Sequence, residues 1–165
     1  MADEGEKASV LRIGITQLKL GEYVESDDLL SRSALFKCIS DKERRSLLSQ
    51  SKARALKSGV VMLQEAVPAK HLFFVLDGSI QLSMQGGMTE LVTLGKGDVF
   101  GLSAIESSAI RPQAAADGDT RVALLPADQV QVLMQTTPRL GDYLRTLASE
   151  RRKLAEDGAN FLDRW

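Results

Sequence analysis

Between Lys57 and Gly101 the chain never runs far before a turn residue stops it. Short apolar runs are cut by Lys57-Ser58-Gly59, Asp77-Gly78, Gly86-Gly87 and Gly95-Lys96-Gly97-Asp98. Glycine at such sites supplies the positive φ that a tight reversal needs. The runs between them, Val60–Leu63, Leu72–Leu76, Ser79–Met84, Leu91–Leu94 and Val99-Phe100, are too short for packed helices and rich in branched and aromatic residues. That combination reads as strands. Leu72-Phe73-Phe74-Val75-Leu76 is apolar at every position, as in a strand covered on both faces. Ser79–Met84 alternates instead, sending Ile80, Leu82 and Met84 to one side. Asp77-Gly78 between these two runs predicts a hairpin, and Gly86-Gly87 a second. After a looser stretch, Arg121–Leu125 is the last strand, stopped by Pro126. Many short antiparallel strands at even spacing predict a sandwich or roll rather than a parallel sheet.

Helical patterns bracket this region. Ser26 is a candidate N-cap, with Asp27 and Asp28 at the positive end of the dipole and Leu29, Leu30, Leu35 and Phe36 as a buried face. Ser40-Asp41-Lys42-Glu43 is an S-x-x-E capping box leading into Leu47 and Leu48. Beyond the strands, Asp128–Gln135 reads as a helix, and Thr137-Pro138 opens another. Its apolar stripe is Leu140, Leu144, Leu147 and Leu154, interrupted by Arg151. The stripe suits either a subunit seam or packing on the chain's own roll. The expected organisation is a leader over 1–25 with one extra strand within Val10–Leu18, then one domain over 26–157, then a tail over 158–165. Within the domain, helices take 26–53, the roll 54–126 and helices 127–157. The fold class is mainly β with flanking helices: an antiparallel double-stranded β-helix, or jelly roll, with N-terminal helices and a C-terminal helical pair. The Phe161–Trp165 tail is either a docking element or folds back on the domain.

Composition narrows the function. At 165 residues the chain fits one domain, and 44% apolar with 26% charged residues is an ordinary soluble balance. Lys and Arg number 21 against 22 Asp and Glu, so the basic footprint of a nucleic-acid binder is lacking. Cys38 is the sole cysteine, which excludes an intrachain disulfide and suits a packing thiol. His71 is the sole histidine. One imidazole cannot assemble the multi-histidine site of a metal-dependent β-roll enzyme, and no nucleophile motif accompanies it as a hydrolase base. Neither an enzyme nor a metal site is expected. Asp117-Gly118-Asp119 lacks the spacing of a calcium loop and reads as a turn. Met1–Lys7 is polar and acidic, unlike a secretory signal, and no apolar run approaches the ~20 residues of a membrane helix. The expectation is a cytoplasmic protein without a membrane partner.

The run Gly59–Gly101 resembles the cyclic-nucleotide-binding domain of catabolite-activator-type regulators, kinase regulatory subunits and gated channels. The matching pieces are Gly59-Val60-Val61-Met62, then Leu72-Phe73-Phe74-Val75-Leu76-Asp77-Gly78-Ser79-Ile80-Gln81-Leu82, then Leu94-Gly95-Lys96-Gly97-Asp98-Val99-Phe100-Gly101. The resemblance implies a phosphate-binding cassette after Phe100-Gly101, and with it ligand contacts from Gly101, Leu102, Ser103, Ala104, Arg111, Gln113 and Ala114. In that cassette a glutamate holds the ribose hydroxyl, backbone N–H groups face the phosphate, and an arginine pairs with its charge. Here Leu102 stands at the glutamate position, Pro112 follows Arg111, and Ala114 comes a residue late. Leu102 cannot accept a hydrogen bond, a loss of about 1.5–3 kcal/mol, or about ten- to a hundred-fold in affinity. Pro112 has no N–H to offer, whereas Arg111 can still make a bidentate phosphate pair or be a solvated loop charge. The resemblance also implies a final helix that caps the ligand and pairs subunits, making Leu140, Leu144, Leu147 and Leu154 candidate homodimer contacts.

A helix-turn-helix domain would follow that helix in a transcription factor; the chain ends at Trp165, so direct DNA binding is not expected. Two functions stand side by side. One is a non-catalytic sensor in signal transduction, binding a cyclic nucleotide such as cAMP or cGMP weakly and biasing a partner protein. The other is an interaction module that keeps the fold and binds no nucleotide. No cofactor is expected for either.

Overall fold

The computed structural model describes residues 15–18 and 33–163, with side chains over 33–158. The strands are β1 (Ile15–Leu18), β2 (Lys52–Leu56), β3 (Val61–Leu63), β4 (His71–Asp77), β5 (Ile80–Met84), β6 (Thr89–Leu94), β7 (Val99–Phe100), β8 (Gln113–Ala116) and β9 (Thr120–Pro126). Among the described residues three α-helices accompany them: α1 (Asp41–Ser49), α2 (Ala127–Thr136) and α3 (Pro138–Asp163). All pairings are antiparallel, in a five-stranded sheet ordered β1-β2-β9-β4-β7 and a four-stranded sheet ordered β3-β8-β5-β6. This is the expected jelly roll with flanking helices.

The alternation along β4 builds both cores. Phe73 and Val75 point between the sheets, where they meet Leu56, Ile80, Leu82, Phe100, Val122 and Leu124. Leu72, Phe74 and Leu76 point the other way, onto Leu47 and Leu48 of α1, Val130 of α2, and Leu140 and Leu144 of α3. A strand covered on both faces has no position left for a polar residue, which is why Leu72–Leu76 reads as an unbroken apolar run.

The hairpin expected at Asp77-Gly78 is absent. β4 and β5 lie in different sheets, and the residues between them form a corner. Gly78 has φ 85°, and a Cβ there would sit 2.7 Å from Thr120 Oγ1. The Ser79 N–H donates to that same hydroxyl at 3.2 Å, and Ser79 Oγ donates to the Asp117 carbonyl at 2.7 Å. Ser58 and Gly59 make the parallel corner from β2 to β3, donating their N–H groups to Asp119 Oδ1 and the Ala116 carbonyl. The corners 57–59, 77–79 and 117–119 are therefore hydrogen-bonded to one another and tie off one end of the roll. The second expected hairpin does form: β5 and β6 pair through Met84 and Thr89 around the glycines at 86 and 87. Glu65 caps this turn, accepting from the N–H groups of Gln85 at 2.9 Å and Gly86 at 3.0 Å.

The Ser40 box is reciprocal, with Glu43 N–H to Ser40 Oγ at 3.1 Å and Ser40 N–H to Glu43 Oε1 at 2.9 Å. The helix it opens ends at Ser49, and Lys52 and Ala53, assigned above to the helical segment, begin β2. Residues 26–32 of the helix expected from Ser26 fall outside the described residues, as do Val10–Gly14 of the expected first strand; Leu35 and Phe36 are buried as expected, but in a turn and a short 3-10 helix over Phe36–Cys38. β1 itself pairs with β2, Ile15 opposite Leu56 and Leu18 opposite Ala53. At the other terminus α3 carries on to Asp163, through most of the segment set apart as a tail. Among the described residues, no helix is long and apolar enough to cross a membrane, and none of the acidic, histidine or cysteine side chains cluster to hold a metal ion.

Candidate functional site

With the short corners gathered at one end, the longer crossings 64–70 and 101–112 close the other end of the roll. The second crossing begins at Gly101, whose φ of 79° places it in the left-handed region. A Cβ there would stand 2.7 Å from the His71 carbonyl oxygen and 2.8 Å from the Phe73 ring, so the turn requires glycine. Leu102–Ala104 then make a single 3-10 turn, whose first internal bond runs from the Ala104 N–H to the Gly101 carbonyl.

A cavity lies between this crossing and α3. Gly101, Leu102, Ser103, Ala109, Ile110, Arg111 and Pro112 line it from the crossing, and Leu63, Val67 and Leu82 from the roll. Ala148 and Arg151 line it from α3. Its free room is about 20 Å³, space for roughly one water. Two contacts hold α3 down. Leu102, Ile105 and Ala109 pack in one apolar cluster with Leu140, Leu144 and Ala148, and Arg152 Nη2 donates to both the carbonyl and the hydroxyl of Ser108 at 3.1 Å.

The residues singled out from the sequence divide. Gly101, Leu102, Ser103 and Arg111 meet at the cavity. Arg111 is exposed at its mouth, its carbonyl accepting from the Ala66 N–H at 2.9 Å. Ser103 Oγ is engaged elsewhere, accepting from the Ala69 N–H at 2.9 Å and so pinning the 64–70 crossing. Ala104 packs between the two cores. Gln113 and Ala114 are in β8, opposite Ser83 and Leu82, and do not line the cavity. On α3, Leu140 and Leu144 are buried in the chain's own core, Leu147 packs partly against it, and Leu154 is exposed.

Arg151 is the cavity residue that sequence reasoning missed. It is 6% exposed, and none of the ion pairs among the described residues includes it. Burial draws its guanidinium down to about 10, with Tyr143, Asp98 and Glu150 offsetting part of that fall. Its signal was present as the charged residue that breaks the leucine stripe, since a stripe position faces inward whatever occupies it.

The family profile of the cyclic nucleotide-binding domain matches residues 53–137. The chain belongs to the cyclic nucleotide-binding domain family. It is 28% identical over 151 residues to a cyclic nucleotide-gated potassium channel of Mesorhizobium japonicum, a match taking in 90% of this chain and 41% of the channel. The chain thus spans less than half the length of that curated relative. Among solved structures, PKAR CBD2 bound to Sp-2Cl-cAMPS superposes with a TM-score of 0.69 at 20% identity, over 82% of this chain and 90% of that one. A cyclic nucleotide-binding domain from Methylobacillus flagellatus gives 0.63 at 21% identity, over 92% and 90%. The catabolite activator protein of Thermus thermophilus gives 0.62 at 24%, over 79% and 63%. At these identities the likenesses establish the fold of a cyclic nucleotide-binding domain. Leu102, which the resemblance would set at a ribose-binding position, is buried at 5% exposure.

Proposed function

We propose that this chain is a non-catalytic regulatory domain in which a cyclic nucleotide enters the Arg111–Arg151 cavity with reduced affinity and displaces α3. The supporting observation is the pair of arginines on opposite walls of one cavity, with no carboxylate among its described lining residues. A phosphate between them would gain two charge-assisted partners. The nucleotide does not fit the present 20 Å³, so entry requires the Ala148–Arg152 stretch of α3 to lift and the Arg152–Ser108 bonds to part. Binding and helix position are then one equilibrium, which a partner protein sensitive to α3 reads out. The near balance of 21 basic and 22 acidic residues supports a protein partner rather than DNA.

A second reading, a module that keeps the fold without a nucleotide, draws on the closed cavity and on Leu102, an apolar residue packed in the core at its wall. Calorimetric titration with cAMP, cGMP and a cyclic dinucleotide separates the two. The first reading expects saturable heat that Arg111→Ala weakens about ten-fold or more. Absence of heat with every nucleotide near millimolar concentration overturns it in favour of the second. A homodimer through α3 has Leu154, 40% exposed, as its available stripe residue. Light scattering of Leu154→Asp tests that pairing, and a mass equal to wild type counts against it.

A further inference from the structure

A second cleft opens on the far side of Leu63 and Val67, which it shares with the nucleotide cavity. It lies between the five-stranded sheet, through Arg54, His71, Phe73 and Leu124, and the free edge of β3 with the 64–70 crossing. Its volume of about 380 Å³ is in the range of small-molecule sites, about 300–1,000 Å³.

The chemistry of its walls is two-sided. Phe73 and Leu124 make an apolar floor, and Val61 and Val67 stand 44% and 49% exposed at the mouth. Arg54, Lys70 and His71 supply the polar wall, with no carboxylate among the described lining residues. The Nε of Arg54 is closed off from solvent and has no hydrogen-bond partner within the chain. Glu65, next to the lining Gln64, is occupied elsewhere, capping the β5–β6 turn.

We propose that this cleft is a second ligand site, taking an amphipathic carboxylate whose head group pairs with Arg54 and Lys70 while its hydrocarbon body covers Phe73, Leu124 and the exposed valines. A guanidinium donates to a carboxylate in the plane of its terminal N–H groups. A purely inorganic anion would leave the valines in water, and a neutral lipid would leave the cations unpaired. His71 is the built-in reporter. Burial first, then Arg54, Lys52 and Lys70, press its imidazole toward the neutral form. A bound carboxylate reverses that field and raises its titration midpoint.

As His71 is the only histidine, its imidazole resonances are unambiguous in NMR. Decanoate is the probe, with acetate for the head group alone and decanol for the body alone. The expected result is saturable movement of the His71 resonances with decanoate, at concentrations where neither control saturates, and a raised midpoint for the complex. Arg54→Met, and separately Lys70→Gln at an exposed position, weaken binding about ten-fold in chains with wild-type circular dichroism. Arg111→Ala in the neighbouring cavity leaves decanoate binding as it was. No saturable shift at millimolar decanoate overturns the proposal, as does unchanged affinity in both cleft variants. Loss of binding in Arg111→Ala places the ligand in the nucleotide cavity instead and equally overturns it.

Discussion

Replacing Arg151 by methionine should make the unliganded domain more stable. The guanidinium is 6% exposed and is drawn well below its ordinary value, to about 10, which at about 1.36 kcal/mol per pH unit sets the cost of holding it charged near 3 kcal/mol. Methionine fills much of the same space, keeps contact with Ala148 and the cavity wall, and needs no solvation. Relaxation and water entry into the cavity reduce the gain; even buried ion pairs replaced by apolar residues are often neutral or stabilised by about 1–4 kcal/mol. We expect about 1–3 kcal/mol, seen as a rise of several degrees in Tm, since about 2–4 °C accompanies each kcal/mol in a domain of this size. Urea denaturation at pH 7 with an unchanged m-value is the assay. The pH dependence supplies an independent check. A base whose folded value is depressed binds fewer protons in the native state, so wild-type stability rises as pH climbs above about 10. That rise should be smaller in Arg151→Met. With a saturating nucleotide the order inverts, because the variant has lost an anion partner and gains less from ligand. A variant less stable than wild type by 1 kcal/mol or more would refute the reasoning, since it would mean the guanidinium is well paired where it lies.

Leu102→Glu should act in both directions: a carboxylate placed at a 5% exposed site lowers apo stability, while nucleotide affinity rises about ten- to a hundred-fold, both readable by calorimetry. Gly101→Ala should cost the fold more than 2 kcal/mol in urea, because positive φ and the 2.7 Å approach to the His71 carbonyl act together; a near-neutral change would show that the turn can shift. Glu43 and Glu65 are held below their usual 4.5, chiefly by the Ser40 N–H for Glu43 and the Gly86 N–H for Glu65. Their support is whole above pH 4.5 and fades as pH falls through the lowered folded values, so Glu43→Gln and Glu65→Gln should flatten an acid melting series over that window.

Much of the roll was readable because its strands announce themselves in two ways: apolar runs where both faces are covered, as at Leu72–Leu76, and glycines where the chain turns. What the glycines could not say was which strand the chain turned towards. Asp77-Gly78 carries the residue pair of a tight hairpin, yet a corner between sheets needs the same positive φ, and only the packing of Thr120 against Gly78 distinguishes them. Gln113–Ala116 and Lys52–Ala55 went unread as strands for a different reason. Alanine, lysine and glutamine carry little strand preference of their own, and these segments are strands because β5, β3 and β9 lie alongside.

The site was harder than the fold because its decisive residues act through position rather than type. Arg45, Arg145 and Arg151 are indistinguishable as letters, but the first two are exposed and Arg151 is shut beneath α3. Leu102 shares in that burial. By packing with Leu144 and Ala148 it closes α3 over the cassette, and the same closure takes Arg151 out of water. Apolar packing at Leu102 and the buried cation therefore act on one helix: the packing holds it down while an only partly offset charge pushes it up. An anion admitted beside Arg151 tips that opposition, because it removes the desolvation cost without touching the leucines. Leu102→Ala should accordingly loosen α3 with no ligand present, measured as faster amide exchange over 144–152. Protection in that stretch equal to wild type would show that the helix is held by the Arg152–Ser108 bonds instead.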